Sequence, residues 1–393
     1  MKNLKPKSWA YSLSLLLLLT ACGESSTTIV QSDEQVAMRA LLDIPEQFAL
    51  PVIPEFNQPT EAKIALGRRL FYDTKLSANE TQSCSSCHLQ SMAFADGVDK
   101  PAGSTGERLK RNSQGLANVA YHSSLTWAST NLVTLEEQLN IPIRSDNPIE
   151  LGVTDSEIDT VLARFDNDTI YPSLFANAFP ESETGTTINK IIFALASFCR
   201  TIISGESAYD SYLLGDEDAL TEQQKRGLAL FNGEKFECFH CHNGVLLSTS
   251  YQDQNSDPEN LTQPHFNNGL YNVGGTGDYP ADDQGLFELT ANPNHRGLFR
   301  PPSLRNAELT APYMHDGSIE TLEGVIKHYA RGGTLTAGGP SAGDGKFNPL
   351  KSGLVQGFSA SDQEIEDIIA FIESLTDTSL TLNPNLSDPF AGN

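Results

Sequence analysis

Cys84-Ser85-Ser86-Cys87-His88 and Cys238-Phe239-His240-Cys241-His242 are two pentads with the same C-x-x-C-H spacing. In each, a pair of thiols is spaced to take up the two vinyl groups of a haem, and the His that follows is placed to ligate iron from the proximal side. A zinc or redox Cys pair shares the C-x-x-C spacing, but here both pairs carry His immediately after the second Cys. The chain has only six cysteines, and four of them stand in these pentads. The pattern predicts a protein with two covalently attached c-type haems.

The remaining cysteines have different settings. Cys22 follows Leu19-Thr20-Ala21 and precedes Gly23, at the end of a segment that opens with Lys2, Lys5 and Lys7 and continues through the apolar run Ser12 to Leu19. That run is too short to span a bilayer, which takes about 20 apolar residues. It reads as an export signal over 1–21 with a lipobox-like end, so Cys22 is expected to be lipidated after cleavage; an ordinary cleaved signal with an incidental Cys is the alternative. Either way the chain is expected to leave the cytoplasm, to the periplasmic side, as an outer-membrane lipoprotein in the first case. Cys199 lies in the apolar run Ile191 to Cys199 and is expected to be a small buried hydrophobe. No disulfide is expected.

Formal net charge is −24 over 393 residues, and removal of 1–21 takes away three Lys and no acids. Such a charge argues against nucleic acid as a partner. The charge suits docking to a basic partner protein, and equally suits simple solubility.

Residues 22–45 are polar and lack periodicity, which predicts a flexible tether. The rest suits two domains with one haem each, 46–215 and 216–393, divided near Gly215. A weak internal repeat supports the division: Ala65-Leu-Gly-Arg-Arg-Leu-Phe71 shortly before the first pentad matches Lys225-Arg-Gly-Leu-Ala-Leu-Phe231 before the second. The second of these helices has Thr221 as N-cap with Gln224 three residues on. Further helices are expected at about 188–204, 319–331 and 361–375, the last with a stripe at Ile365, Ile368, Ile369 and Ile372. No long alternating strand pattern occurs, and Gly-, Asn- and Pro-rich loops fill 250–300 and 332–350. The expected fold is mostly α with long loops, two cytochrome c-like domains, and haem forming much of each core.

An iron with two strong protein ligands transfers electrons, whereas one with an open face can activate peroxide. The candidates for the positions opposite His88 and His242 are His122, His240, His265, His295, His315 and His328, with Met38, Met92 and Met314.

Together with Pro302-Ser-Leu-Arg-Asn306 and Leu309-Thr-Ala-Pro-Tyr-Met-His-Asp-Gly317, the pentads make a combination that resembles the bacterial di-haem cytochrome c peroxidase and MauG family, from about residue 60 to 375. The resemblance implies several site residues. In the peroxidases a Met fourteen residues after the His of the A-P-Y-x-H motif ligates the C-terminal haem. Here that position is Tyr329, as in the MauG branch. Independently, Tyr329 shares a helix face with Leu322, Val325 and Ile326, so its ring is expected to point inward, as a core tyrosine or a ligand. Met314 is read as packing. A distal His eight residues before Arg111-Asn112-Ser113 would block the N-terminal haem, but that position is Ser104, which implies an open site. Gln138 and Glu150 match the family's distal pair, with Glu150 as acid/base for peroxide; their separation is two residues longer than usual. Glu136 and Glu137 are expected to line a solvated face. Trp127, eleven residues before Gln138, matches the Trp that relays electrons between the haems. Asn112, Thr310 and Pro312 match an inter-haem Ca²⁺ site.

Leu116-Ala-Asn-Val-Ala-Tyr121, Leu125-Thr-Trp127 and Pro148-Ile-Glu-Leu-Gly152 look closest to the MbnH-type branch. These resemblances imply a peroxidase that uses hydrogen peroxide to form a high-valent di-haem state and then oxidises Trp or Tyr of a partner protein. The alternatives are a peroxide-detoxifying cytochrome c peroxidase fed by a small cytochrome or cupredoxin, and an electron-transfer cytochrome.

Overall fold

The computed structural model describes residues 32–183 and 185–391. The signal segment and Cys22 lie outside the described residues. Among the described residues twelve α-helices follow one another: α1 (Asp33–Leu41), α2 (Glu61–Tyr72), α3 (Leu135–Arg144), α4 (Ile158–Asp166), α5 (Tyr171–Ala178), α6 (Ile188–Cys199), α7 (Ala208–Leu213), α8 (Glu222–Phe231), α9 (Phe287–Thr290), α10 (Leu322–Arg331), α11 (Asp362–Glu373) and α12 (Thr378–Leu382). Strand structure among the described residues is one two-residue antiparallel pair, β1 (Leu335–Thr336) with β2 (Gly343–Asp344). The mostly α class is as expected from the sequence. Among the described residues no helix is long and apolar enough to cross a membrane.

The internal repeat becomes two matching helix crossings. In the first half α2 packs on α6, and in the second α8 packs on α11. Each crossing closes on the glycine of the repeated motif. A Cβ added at Gly67 would lie 1.9 Å from Ala194 O and 2.9 Å from Phe198 Cβ; one added at Gly227 would lie 1.9 Å from Asp367 O and 2.8 Å from Phe371 Cβ. Backbone cannot yield as a flexible side chain can. Gly67→Ala and Gly227→Ala are each therefore expected to destabilise the fold by about 1–3 kcal/mol or more, read as a fall in thermal midpoint of the holoprotein. The Leu-Phe ends of both motifs sit beneath the crossings, with Leu70, Phe71 and Phe231 buried.

Helix ends follow from local chemistry. The Thr221–Gln224 capping box of α8 forms in both directions, and Ser361–Glu364 does the same for α11. The helix expected to run to about 204 stops at Cys199, because the following backbone is bound elsewhere. Ser204 exchanges two hydrogen bonds with the Asn118 amide, and the Gly205 and Glu206 N–H groups donate to Asp377 Oδ2.

The chain ends cross between the halves. Where the sequence suggests a tether to 45, residues 33–41 form α1, capped by Ser32 and Gln35. Leu42, Ile44, Phe48 and Leu50 then bury against Tyr121 and Leu246. At the other end, Leu380 and Leu386 join the core of the first half. Arg68 Nε and Tyr72 OH each donate at 2.7 Å to the carbonyls of Ser387 and Leu386. The first-half core thus includes residues from beyond 375.

Candidate functional site

The two pentads take up the same local form. Cys84–Ser86 and Cys238–His240 are each a single 3-10 turn. His88 Nδ1 donates to Phe94 O at 2.7 Å and His242 Nδ1 to Leu247 O at 3.0 Å. Each imidazole has a second carbonyl in reach, Gln114 for His88 and Pro302 for His242. A donating Nδ1 leaves Nε2 as the ligating nitrogen. Burial lowers both imidazoles below their ordinary value, so both are neutral, as a metal ligand must be. The five described cysteines are free thiols, so both pairs remain available for thioether bonds. Cys199 is buried, with Cys84 packed against the same core.

Beside the second pentad lies a cavity of about 250 Å³. Cys238, Cys241 and His242 line it together with Leu322, Val325, Ile326 and Tyr329 of α10. The face expected to point inward does so. Burial pushes the Tyr329 phenol up to about 12, with Asn268 as a hydrogen-bond partner working the other way. Met314 also lines the cavity and packs beside Leu270, Tyr279 and Phe299. Its sulfur accepts a hydrogen bond from Asn268 Nδ2 at 3.3 Å. Two thiols, an imidazole, a phenol and an apolar wall are a donor set that fits a covalently held haem.

Around the first pentad, Glu150 is half-buried, and desolvation raises its carboxyl to about 7. Its charge reaches both thiols. Burial pushes Cys84 up, with Glu150 among the smaller causes, while burial, then Asp96 and Glu150, push Cys87 up to about 12. Ser104 donates its N–H to Glu150 O at 2.8 Å. The position where a distal imidazole would stand therefore adjoins Glu150 and holds a hydroxyl. Gln138 lies on α3 one turn before Pro142, on the same face, and Pro142 O accepts from Leu151 N at 2.9 Å. This sets Leu151, the residue after Glu150, against Pro142, one turn along α3 from Gln138.

Glu136 corrects the sequence reading. It does not line a solvated face: it is 5 % exposed, and both of its oxygens accept from Arg200, at 2.8 and 3.0 Å. Asn57 adds a third bond at 2.6 Å. The neighbouring Glu137 is exposed and caps α3 through Thr134. The signal for Glu136 was the spacing: on α3 it shares the buried side with Leu135, Leu139 and Ile143.

Trp127 lines the cavity beside the second pentad, and its Nε1 donates to Asn112 O at 2.8 Å. Asn112, Thr310 and Pro312 line the same cavity. Asn112 N donates to His315 O, and Asn112 Nδ2 to Val98 O, both at 2.8 Å. Among the described residues no donor meets Asn112 Oδ1 or the carbonyls of Thr310 and Pro312. Three free oxygens of this kind suit a hard cation.

Residues 61–218 match the family model described as di-haem cytochrome c peroxidase. Cytochrome-c peroxidase IdrP1 of Pseudomonas sp. (strain SCT) is 34% identical over 395 residues, covering 96% of this chain and 94% of that protein. The chain belongs to the di-haem cytochrome c peroxidase and MauG family. Methylamine utilization protein MauG of Methylorubrum extorquens is 31% identical over 360 residues, covering 91% of this chain and 90% of MauG. A crystal structure of a MauG-like protein associated with microbial copper homeostasis is 47% identical, with a TM-score of 0.86, covering 88% of this chain and 98% of that one. As a member of the family the protein is an oxidoreductase with two c-type haems.

Proposed function

We propose that this di-haem enzyme is of MauG type: it spends the two oxidising equivalents of hydrogen peroxide on Trp or Tyr of a partner protein, one that handles copper outside the cytoplasm. The observation that carries the reading is Tyr329, which lines the cavity with His242 while the Met314 sulfur is engaged by Asn268. A phenolate ligand from this position would lower the potential of the haem held there, whereas Met would raise it. The 47% identity to a MauG-like protein associated with copper homeostasis supports the partner class.

In this reading Cys84, Cys87 and His88 would hold one haem, and Cys238, Cys241, His242 and Tyr329 would hold the other. The haems supply the redox chemistry with peroxide. Glu150 accepts a proton from one peroxide oxygen and returns it to the other, which leaves as water. Gln138 orients the peroxide beside it. Trp127 relays electrons between the two sites. Asn112 Oδ1 and the Thr310 and Pro312 carbonyls hold one Ca²⁺ that ties residues 112–115 to the 310–317 segment. Export to the periplasmic side and a lipid anchor at Cys22 belong to the same proposal.

The second reading, peroxide detoxification with electrons from a small cytochrome or cupredoxin, is favoured by the 34% identity to a cytochrome-c peroxidase. One experiment separates the two. The holoprotein, peroxide and a copper-binding partner protein are incubated together, and the partner is examined by intact mass and peptide mapping. The expected result is oxidation at Trp or Tyr. An unmodified partner, with fast peroxide-dependent oxidation of a reduced small cytochrome instead, would establish the second reading.

A further inference from the structure

Arg300 is only 3 % exposed, yet it lines the cavity of the second pentad. Its guanidinium carries five N–H donors. Nε donates to Thr126 O at 3.0 Å. Nη1 donates to Pro301 O at 3.3 Å and to the contacting pair His122 Nδ1 and Ser250 Oγ, at 3.0 and 3.3 Å. Nη2 donates to Gln114 Oε1 at 2.9 Å. Every one of these acceptors is neutral. The His122 ring is itself held neutral, by burial first and by Arg300 second.

The contrast with the other deeply buried arginines is sharp. Arg200 grips both oxygens of Glu136, and Arg305 both oxygens of Asp210. Arg300 has no carboxylate within 4 Å among the described residues. A buried charge without a counter-ion is costly, and proteins pair such charges or coordinate them. Burial lowers Arg300 to about 10, which still leaves it a cation at neutral pH.

Two donors remain open. One Nη2–H of Arg300 has no acceptor after Gln114 is served. Gln114 Nε2 is buried with no partner at all, and Gln114 lines the same cavity. An unpaired cation and two unmet N–H groups on residues that line one cavity call for a single complement, a carboxylate with two acceptor oxygens. The group that fills this cavity in the family is a c-type haem, which carries two propionates.

We infer that Arg300, assisted by Gln114 Nε2, binds a propionate of the C-terminal haem and is the counter-charge of that cavity. The pair would also sit against Trp127, since Arg300 N donates to Trp127 O at 2.8 Å. The inference rests on haem in the second cavity and holds for either enzyme reading.

The test uses holoprotein with both haems attached, in Arg300→Gln, Arg300→Lys and Gln114→Leu forms. The propionate bending band of the C-terminal haem is read by resonance Raman, and the potential of each haem by spectroelectrochemical titration. All three variants are expected to shift the band. Arg300→Gln is expected to lower the C-terminal potential and leave the N-terminal one in place, because a cation near the haem disfavours its oxidised, more positive state. Arg300→Lys keeps the charge and is expected to retain most of the potential. If Arg300→Gln fails to fold, the other two variants and a deuterium-exchange shift of the same band in the unsubstituted protein carry the test. A band that moves in none of the folded variants, or two haem potentials that move equally, would overturn the assignment.

Discussion

Glu150→Gln is expected to slow peroxide turnover by about 10²–10⁴-fold, the usual cost of losing one general acid/base, while both haems stay attached. Glu150 combines the features such a group needs. It stands beside the first pentad, with its charge felt by Cys84 and Cys87. Desolvation lifts its carboxyl from 4.5 to about 7, near the pH at which the proposed role would have it both take and give a proton. The ionised form, which in the proposed role removes the first proton, becomes the majority as pH rises through about 7. The unsubstituted rate should therefore climb across that range, and the Gln variant should lose the climb. Stability runs the opposite way. A carboxyl whose folded value is raised favours the fold at low pH, and that contribution fades as pH rises from 4.5 to about 7. Glu150→Gln should therefore melt no lower than the unsubstituted protein at about pH 8. Stopped-flow mixing with peroxide, with melting at two pH values, reads both. An unchanged rate with a lowered melting point would make Glu150 structural.

The fold was legible where a residue type has few physical alternatives. Two C-x-x-C-H pentads leave little besides haem attachment, and the Gly-Leu-Phe helix ends around Gly67 and Gly227 marked a repeat. The sequence did not show that each glycine is the point where a second helix presses within van der Waals range, because that partner is over 100 residues away. Long-range pairing also hid the crossed chain ends. Ser32 and Gln35 cap a helix in a segment too polar and too short to show periodicity, and Leu380 and Leu386 bury in the first half although they follow the second.

Within the site, helical periodicity placed Tyr329 correctly, since four residues on one face of α10 all line the cavity. Charge misled at Glu136. A carboxylate on a helix reads as solvated unless its partner is visible, and Arg200 lies on the chain directly after the buried run of α6. The role of Arg300 is hidden in the sequence for the same reason. A single arginine in Phe299-Arg-Pro-Pro302 has no signature, and its meaning lies in the carboxylate it lacks.

Trp127→Phe is expected to leave peroxide chemistry at the first pentad's site intact and to abolish modification of the partner. The indole has one foot in each half of the molecule. Its Nε1 donates to Asn112 O, on the segment that continues to Gln114 and so to His88. Its ring lines the cavity of His242 and Tyr329. Phe keeps most of the packing but is far harder to oxidise, so it fills the space without relaying charge. The lost hydrogen bond should cost only about 1 kcal/mol of stability, which separates this effect from unfolding. With peroxide in slight excess, the variant should consume it at close to the unsubstituted rate in the first turnover. The partner's mass should stay unchanged, and the C-terminal haem should keep its resting spectrum. Trp127→Tyr, which restores an oxidisable ring, should recover part of the modification. A Phe variant that modifies the partner at the unsubstituted rate would remove Trp127 from the route and leave electrons to pass between the halves by another path.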